Sequence, residues 1–466
     1  MAGVERVGVA GAGSMGAGIA QLACMAGYET SLHDPAPDAL EAGMERLRAA
    51  LAKGAERGRW SEEEATAAAS RLHPAAELED LGGCDLVIEA APESLELKRD
   101  LFTALAGICG PAAILATNTS SLSVTAIAAG IEHPDRVVGM HFFNPPPLMR
   151  LVEVIAGEES GEEALEATAE AAGRMGRTPI RAADAIGFVA NRCARPYSLE
   201  GLRLLGERVA DEATIDRVCR LGGGFRMGPF ELTDLVGIDV NFEVAKSFWE
   251  QSFHEPRWQP HPIQARMVAA GRLGRKTGRG YYDYSSGPHR EDDPESPPAQ
   301  RDLAEADEGE EVEGEGFRAL RLERGSLAAL VPGENAVGFV ALPDLGEARL
   351  VELARQDETS DATATAAEAH FAALGKHVAW VGDAPGLVLG RIVCQLVNEA
   401  FFTLGAGIAS AEDIDTAMRL GFNYPRGPFE WCEAIGPERV LAVLDALHCE
   451  RGEERYRAAP GLRREI

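Results

Sequence analysis

The chain has 466 residues, 45% apolar and 26% charged, which is the balance of a soluble globular protein with mass for about three domains. A net charge of -29 argues against nucleic acid, whose phosphates need basic patches, and no run of about 18 apolar residues offers a membrane span. Eight cysteines lie scattered without CxxC or His-rich spacing, so they are expected as buried small hydrophobes, not disulfides or metal ligands, in a reducing, cytoplasmic setting.

The N-terminus enters a strand almost at once, without the basic head or cleavage pattern of a signal peptide. Residues 1–185 alternate short apolar runs with helical spacing. Strands are predicted at Arg6–Ala10, Glu29–His33, Leu86–Glu89, Ala113–Ala116 and Val137–His141. Helices are predicted at Met15–Gly27, Pro37–Arg57, Ser61–Arg71 and Leu95–Ile108. This βαβ rhythm predicts an α/β domain with a doubly wound parallel sheet. Residues 186–285 read as all-helical, with helices over Phe188–Val209, Asp211–Leu221, Glu231–Val236 and Asp239–Phe253. Residues 286–315 read as an exposed linker; the stretch from 291 holds twelve acidic residues against one arginine. Residues 316–383 read as the remnant of a second α/β unit, and 384–466 as a second all-helical domain.

The second half repeats the first at an offset of 199 residues. Gly139, His141 and Glu153 fall on Gly338, Val340 and Glu352. Asp184, Gly187, Asn191 and Arg192 fall on Asp383, Gly386, Gly390 and Arg391. Gly228-Pro-Phe-Glu231 falls on Gly427-Pro-Phe-Glu430. Residues that hold shape persist, whereas His141 and Asn191 are lost. That contrast marks these two as chemical and the first copy as the active one.

Gly11, Gly13, Ser14, Met15 and Gly16 form a GxGxxG turn between a strand and a helix. Such a turn brings backbone against a pyrophosphate at a helix N-terminus. Asp34 ends the next strand, where a carboxylate suits the ribose hydroxyls of NAD and repels the 2′-phosphate of NADP. The alternative is a glycine turn beside a surface Asp. Thr117 to Ser121 follow a strand whose C-terminal end faces the ligand crevice; the same run also reads as a helix cap. His141 ends a strand as well, with Glu153 twelve residues on. A carboxylate on one ring nitrogen would fix the tautomer and leave the other to take a hydroxyl proton. A satisfied structural histidine is the bland reading, and the persistence of Glu352 without its His gives Glu153 a structural reading too. The Asn191 amide can bond a substrate carbonyl or simply lie on a helix.

Together these motifs, with Ile88-Glu89-Ala-Ala-Pro-Glu93, His141-Phe-Phe-Asn-Pro145 and Met227-Gly-Pro-Phe-Glu231, resemble the L-3-hydroxyacyl-CoA dehydrogenase family of β-oxidation. The resemblance is dense over residues 1–285 and degenerate over 316–466, as in bacterial long forms with a duplicated helical domain. It implies NAD-dependent oxidation of a (S)-3-hydroxyacyl-CoA to the 3-ketoacyl-CoA. His141 would be the general base and Glu153 its orienting partner. Ser120 and Asn191 would bind the C3 oxygen. Glu93, Lys98, Asn118 and Lys276 would line the NAD site, and Lys53 would contact coenzyme A. Arg46 departs from the family's usual Ser nearby. Family members commonly pair through the helical domain, so an intramolecular pseudo-dimer is expected, with a homodimer left open. The alternative is a related dehydrogenase of a free hydroxy or sugar acid such as L-gulonate. A third reading is a non-catalytic NAD-binding scaffold.

Overall fold

The computed structural model describes residues 3–301 and 309–465. The chain divides into two compact units that do not follow chain order. One comprises residues 1–190 and 407–421, and the other 191–406 and 422–466.

The first unit is built on β1 (Arg6–Ala10), β2 (Glu29–His33), β3 (Leu72–Ala75), β4 (Leu86–Glu89), β5 (Ile114–Thr117), β6 (Val137–Phe142), β7 (Leu151–Ala156) and β8 (Thr178–Ala183). Their order is β3-β2-β1-β4-β5-β6-β7-β8. Strands β1 to β6 are mutually parallel, as the βαβ rhythm predicts. The chain steps outward from β1 in both directions, so a crevice opens at the strand C-termini between β1 and β4. Val7, Val9, Ile88, Ala116, Met140 and Val152 form the core of this sheet. Helices flank it, among them Ser14–Met25 and Pro37–Glu56. The helix Glu62–Ser70 starts with a reciprocal cap, Ser61 Oγ accepting from Glu64 N while Glu64 accepts from Ser61 N.

Beyond the predicted strands, β7 runs antiparallel to β6, and β8 parallel to β7. Only residues 143–150 join β6 to β7, too few for a parallel crossover. The turn at Gly187-Phe188 enters the next helix with both residues left-handed, φ +70° and +49°. Gly386 and Leu387 repeat it at +70° and +47°.

The second unit holds β9 (Glu311–Gly314), β10 (Phe317–Arg321), β11 (Val337–Val340), β12 (Leu350–Arg355) and β13 (His377–Trp380), ordered β13-β12-β11-β10-β9. Parallel β10/β11, antiparallel β11/β12 and parallel β12/β13 reproduce the β5–β8 half of the first sheet. Among the described residues, no counterpart of β1 to β4 accompanies it. β9 arises inside the acidic stretch read as an exposed linker, paired antiparallel to β10. Upstream in that stretch, His289 and Arg290 bind Glu231, and Asp293 binds Arg220. The acidic stretch is therefore partly built into the fold.

The helical part of this unit packs Arg195–Gly206 against Leu389–Gly405, related segments of the two copies. Its ion pairs are reciprocal under the 199-residue offset. Arg192 meets Glu399 at 3.2 Å, and Arg391 meets Glu200 at 2.6 Å. The Arg192 guanidinium lies 4.8 Å from the Trp258 ring and that of Arg391 5.7 Å from Tyr456, the matching last residues of the short turns Pro256–Trp258 and Glu454–Tyr456. Such exchange of one contact for its mirror is the mark of an isologous interface.

One helix from each copy completes the sheet of the other. Ala411–Gly421 packs on β7 and β8 of the first unit. There Ala183 N donates to Ile408 O at 2.8 Å, and Gly421 leaves no room for a Cβ beside Leu151. In the second unit, Val218–Gly222, the continuation of the helix Glu212–Arg217, packs on β12, beside Leu350. Among the described residues, no helix is long and apolar enough to cross a membrane.

Candidate active site

The turn after β1 meets the steric demands of a dinucleotide cradle. Gly11 has φ +115°, and a Cβ there would stand 2.5 Å from Ala90 O. A Cβ on Gly16 would stand 1.8 Å from Gly11 O, so only glycine lets helix and strand approach this closely. At Gly13 a Cβ would meet nothing within 4 Å, so the backbone there is open to a ligand. The helix Ser14–Met25 has no side-chain cap, which leaves its first N–H groups for an anion. Asp34 Oδ2 accepts from Ala12 N and its Oδ1 from Ala36 N, both at 3.0 Å. This fixes the carboxylate at the C-terminal end of β2. A cavity of about 930 Å³ lies here, lined by Gly11, Gly13, Asp34, Ala91, Pro92 and Leu97 among others. These features fit a dinucleotide.

Antiparallel pairing of β6 and β7 sets His141 directly opposite Glu153. His141 Nδ1 and Glu153 Oε2 are 2.6 Å apart, and both side chains are buried. The ring leans on Phe143 at 4.6 Å and on Phe188 at 5.9 Å between centroids. Among the described residues Nε2 has no hydrogen-bond partner. Glu153 Oε1 meanwhile accepts from Val189 N and Ala190 N at 3.1 and 2.9 Å. The carboxylate thus holds the ring with one oxygen and the start of the next helix with the other. In copy two, Glu352 bonds Val388 N and Leu389 N in the same way, with Val340 in the histidine's register. Burial pushes the Glu352 carboxyl up to about 8, against two backbone N–H groups that pull it down.

The models for the 3-hydroxyacyl-CoA dehydrogenase NAD-binding domain and C-terminal domain match residues 6–185 and residues 187–284 with 386–465, respectively. A 3-hydroxyadipyl-CoA dehydrogenase of Escherichia coli K12 is 40% identical over 99% of this chain and 98% of its own. The chain belongs to the 3-hydroxyacyl-CoA dehydrogenase family. The crystal structure of a 3-hydroxybutyryl-CoA dehydrogenase from Escherichia coli K12 superposes with a TM-score of 0.93 at 38% identity, covering 99% of this chain and 98% of that one. A probable 3-hydroxybutyryl-CoA dehydrogenase of Bacillus subtilis is 41% identical over 60% of this chain and 98% of its own. As a 3-hydroxyacyl-CoA dehydrogenase, the chain uses NAD to oxidise a 3-hydroxyacyl-CoA to the 3-ketoacyl-CoA. The free hydroxy-acid alternative is not favoured.

The first unit of this dehydrogenase brings together Gly11, Gly13, Ser14, Met15, Gly16, Asp34, Glu93, Lys98, Asn118, Ser120, His141 and Glu153. Asn118 Oδ1 accepts from Phe142 N at 2.8 Å and so ties the end of β5 to the residue after His141. Ser120 is exposed, on a loop held by Glu93. Glu93 Oε1 accepts from the Thr119 hydroxyl, from Ser120 N and Ser121 N, and from the Ser121 hydroxyl. Partial burial opposes its charge, but the Thr119 hydroxyl, Lys98 and Ser121 outweigh it and hold the carboxyl below the usual carboxylate range. Lys98 is buried, its ammonium bonded to Glu89, Glu93 and the Ala91 carbonyl. It braces the loop after β4 from behind. Lys53 is exposed on the helix Pro37–Glu56, and Arg46 Nη1 donates to Ala12 O in the glycine turn.

Asn191 and Lys276 belong to the second unit. Lys276 is paired with Asp239 at 2.6 Å. In copy two, the counterpart of Asn191, Gly390, lies beside Val340: a Cβ on it would sit 3.8 Å from Val340 Cγ1. In the sequence, three residues are legible only within motifs, with no individual role. Glu89 is fully buried and accepts from Lys98, Thr117 and Ala91 N; an acid closing a buried strand with a lysine nine residues on was its signal. Thr119 and Asp184 are the others. Asp184 binds Ser123 Oγ and Thr125 N, and Asp383 binds Leu327 N and Ala328 N, both at helix starts.

Proposed function

We propose that His141 is the general base of the 3-hydroxyacyl-CoA oxidation, with Glu153 as its positioning residue. The observation that carries this is the buried 2.6 Å bond from Nδ1 to Glu153, which leaves Nε2 open. Glu153 accepts the Nδ1 proton, so Nε2 carries the lone pair that takes the proton of the 3-hydroxyl. The charge that develops on the ring is then met by the carboxylate. NAD, when bound, supplies the hydride acceptor. The uncapped start of Ser14–Met25 receives its pyrophosphate, and Asp34 receives the ribose hydroxyls. Ser120 and Asn191 hold the C3 oxygen. For Asn191, the neighbouring Gly390 and Val340 of copy two support this role. Glu93, Lys98, Asn118 and Lys276 line the NAD site, and Lys53 contacts coenzyme A. The reciprocal pairs Arg192–Glu399 and Arg391–Glu200 support reading the two helical domains as an intramolecular pseudo-dimer.

The test follows NADH absorbance with acetoacetyl-CoA, beside L-gulonate with NAD. Turnover of the CoA ester alone is expected. His141→Ala should remove nearly all of it, about 10²–10⁴-fold in kcat, with NAD affinity intact. A variant with wild-type kcat sinks the proposed base.

A further inference from the structure

Among the described residues, the second unit buries six arginines, and five have a carboxylate within 4 Å. These are Arg192 with Glu399, Arg203 with Glu200, Arg220 with Glu231, Arg321 with Glu323, and Arg391 with Glu200. Arg195 is the exception. It is 7% exposed, and no carboxylate lies within ion-pair distance. Its Nε donates to Asn191 O at 3.2 Å, while Nη1 is buried without a partner. The Phe248 ring lies 5.4 Å below the guanidinium. The ionisable group facing it is Tyr424, whose hydroxyl is also buried and unpartnered. Burial pushes the guanidinium down to about 10.

An uncompensated buried cation is costly, and the other buried arginines of this unit are each answered by a carboxylate. The missing carboxylate can come from a ligand. Arg195 also stands in the right copy. Its counterpart 199 residues on is Cys394, a buried thiol, so the charge accompanies His141 and Asn191 and is absent where they are absent.

We propose that Arg195 is the specificity-determining receptor for a carboxylate at the far end of the acyl chain, so that the preferred substrate is a 3-hydroxyacyl-CoA with an acid tail. This rests on the reading of Asn191 as a holder of the C3 oxygen. Asn191 and Arg195 are four residues apart along the helical start of the domain, a rise of about 6 Å. The three carbon–carbon bonds from C3 to the tail carboxyl carbon of a six-carbon acid advance about 4 Å when extended, and hydrogen bonds of about 3 Å at either end make up the rest. A tail carboxylate would find the two-pronged guanidinium edge that Asn191 O leaves free, with the Tyr424 hydroxyl as a further donor.

The experiment compares (S)-3-hydroxyadipyl-CoA with (S)-3-hydroxyhexanoyl-CoA, which share chain length and differ in the terminal carboxylate. The kcat/KM ratio is read for the full chain, Arg195→Met and Arg195→Lys. The native chain should favour the acid by about 100-fold or more. Arg195→Met should abolish that ratio, chiefly through KM for the acid, and Arg195→Lys should keep part of it. A merely structural arginine would lower both esters in parallel and leave the ratio, which overturns the proposal. A native chain that turns over both esters without preference overturns it too, with His141 as base untouched. Silence on both esters sinks the parent reading and this one together. Should Arg195→Met fail to fold, the native ratio and the Lys variant decide.

Discussion

Glu153→Gln separates the two tasks of Glu153. The glutamine carbonyl can still accept from Val189 N and Ala190 N, so the start of the helix keeps its anchor. Its amide nitrogen then faces His141 Nδ1 at the position of Oε2. An NH₂ donates, so Nδ1 must accept, and the ring proton moves to Nε2. A protonated Nε2 cannot take the substrate proton. The expected loss is that of a displaced general base, about 10²–10⁴-fold in kcat. Losing a charged acceptor should cost about 1–2 kcal/mol of stability. Glu153→Ala does more: it also strands two buried N–H groups, at about 1–3 kcal/mol each. The assay pairs kcat for NAD-dependent oxidation of (S)-3-hydroxybutyryl-CoA, the direction in which the ring takes the proton, with urea unfolding of both variants. The Gln variant should be folded and nearly inactive, the Ala variant inactive and clearly destabilised. A folded Gln variant with undiminished kcat would refute the tautomer argument. Equal destabilisation by both would refute the split between the two oxygens.

Asp34→Ala removes the acceptor for Ala12 N and Ala36 N and the charge that opposes a 2′-phosphate. NAD affinity should fall about 10- to 100-fold, equivalent to ~1.4–2.8 kcal/mol, and discrimination against NADP should relax; an unchanged preference in titrations of both cofactors would refute the role. Glu352 titrates near 8 in the folded chain, above its unfolded value, so the native state holds a proton that the unfolded state has released over that interval. Native stability should therefore fall as pH rises from about 5 to 8, by up to ~1.4 kcal/mol per unit from this group. Glu352→Gln should flatten that part of the profile; an unchanged slope in pH-dependent denaturation would remove Glu352 as its source.

The features most legible in the sequence were those with a short-range signature. The glycine turn with Asp34 at the next strand end reads from residue type alone, because only glycine tolerates the contacts at Gly11 and Gly16. The repeat at 199 residues exposed His141 by its loss. Strands β3 and β8 stayed hidden because each contains a proline, Pro74 and Pro179, which argues against a strand unless it lies at an edge, and both are edge strands. β7 is an apolar run whose direction no side chain encodes; the eight-residue connection from β6 was the available clue. β9 alternates correctly in Glu311-Val-Glu, but the surrounding acids masked it. Lys98 illustrates the limit at the site: its position was apparent, but its burial behind the loop depends on Glu89 and Glu93 converging in space.

The helix Ala411–Gly421 that covers β7 and β8 has a consequence for synthesis. Leu151 is fully buried in the finished chain, beside Gly421. When residue 190 leaves the ribosome, every strand of the first sheet exists, but this helix does not. About 230 further residues must follow, roughly ten to fifty seconds at ordinary elongation rates of about 5–20 residues per second. The nascent NAD-binding unit therefore waits with an apolar face uncovered until the chain is nearly complete, which makes it a natural client for chaperones during translation.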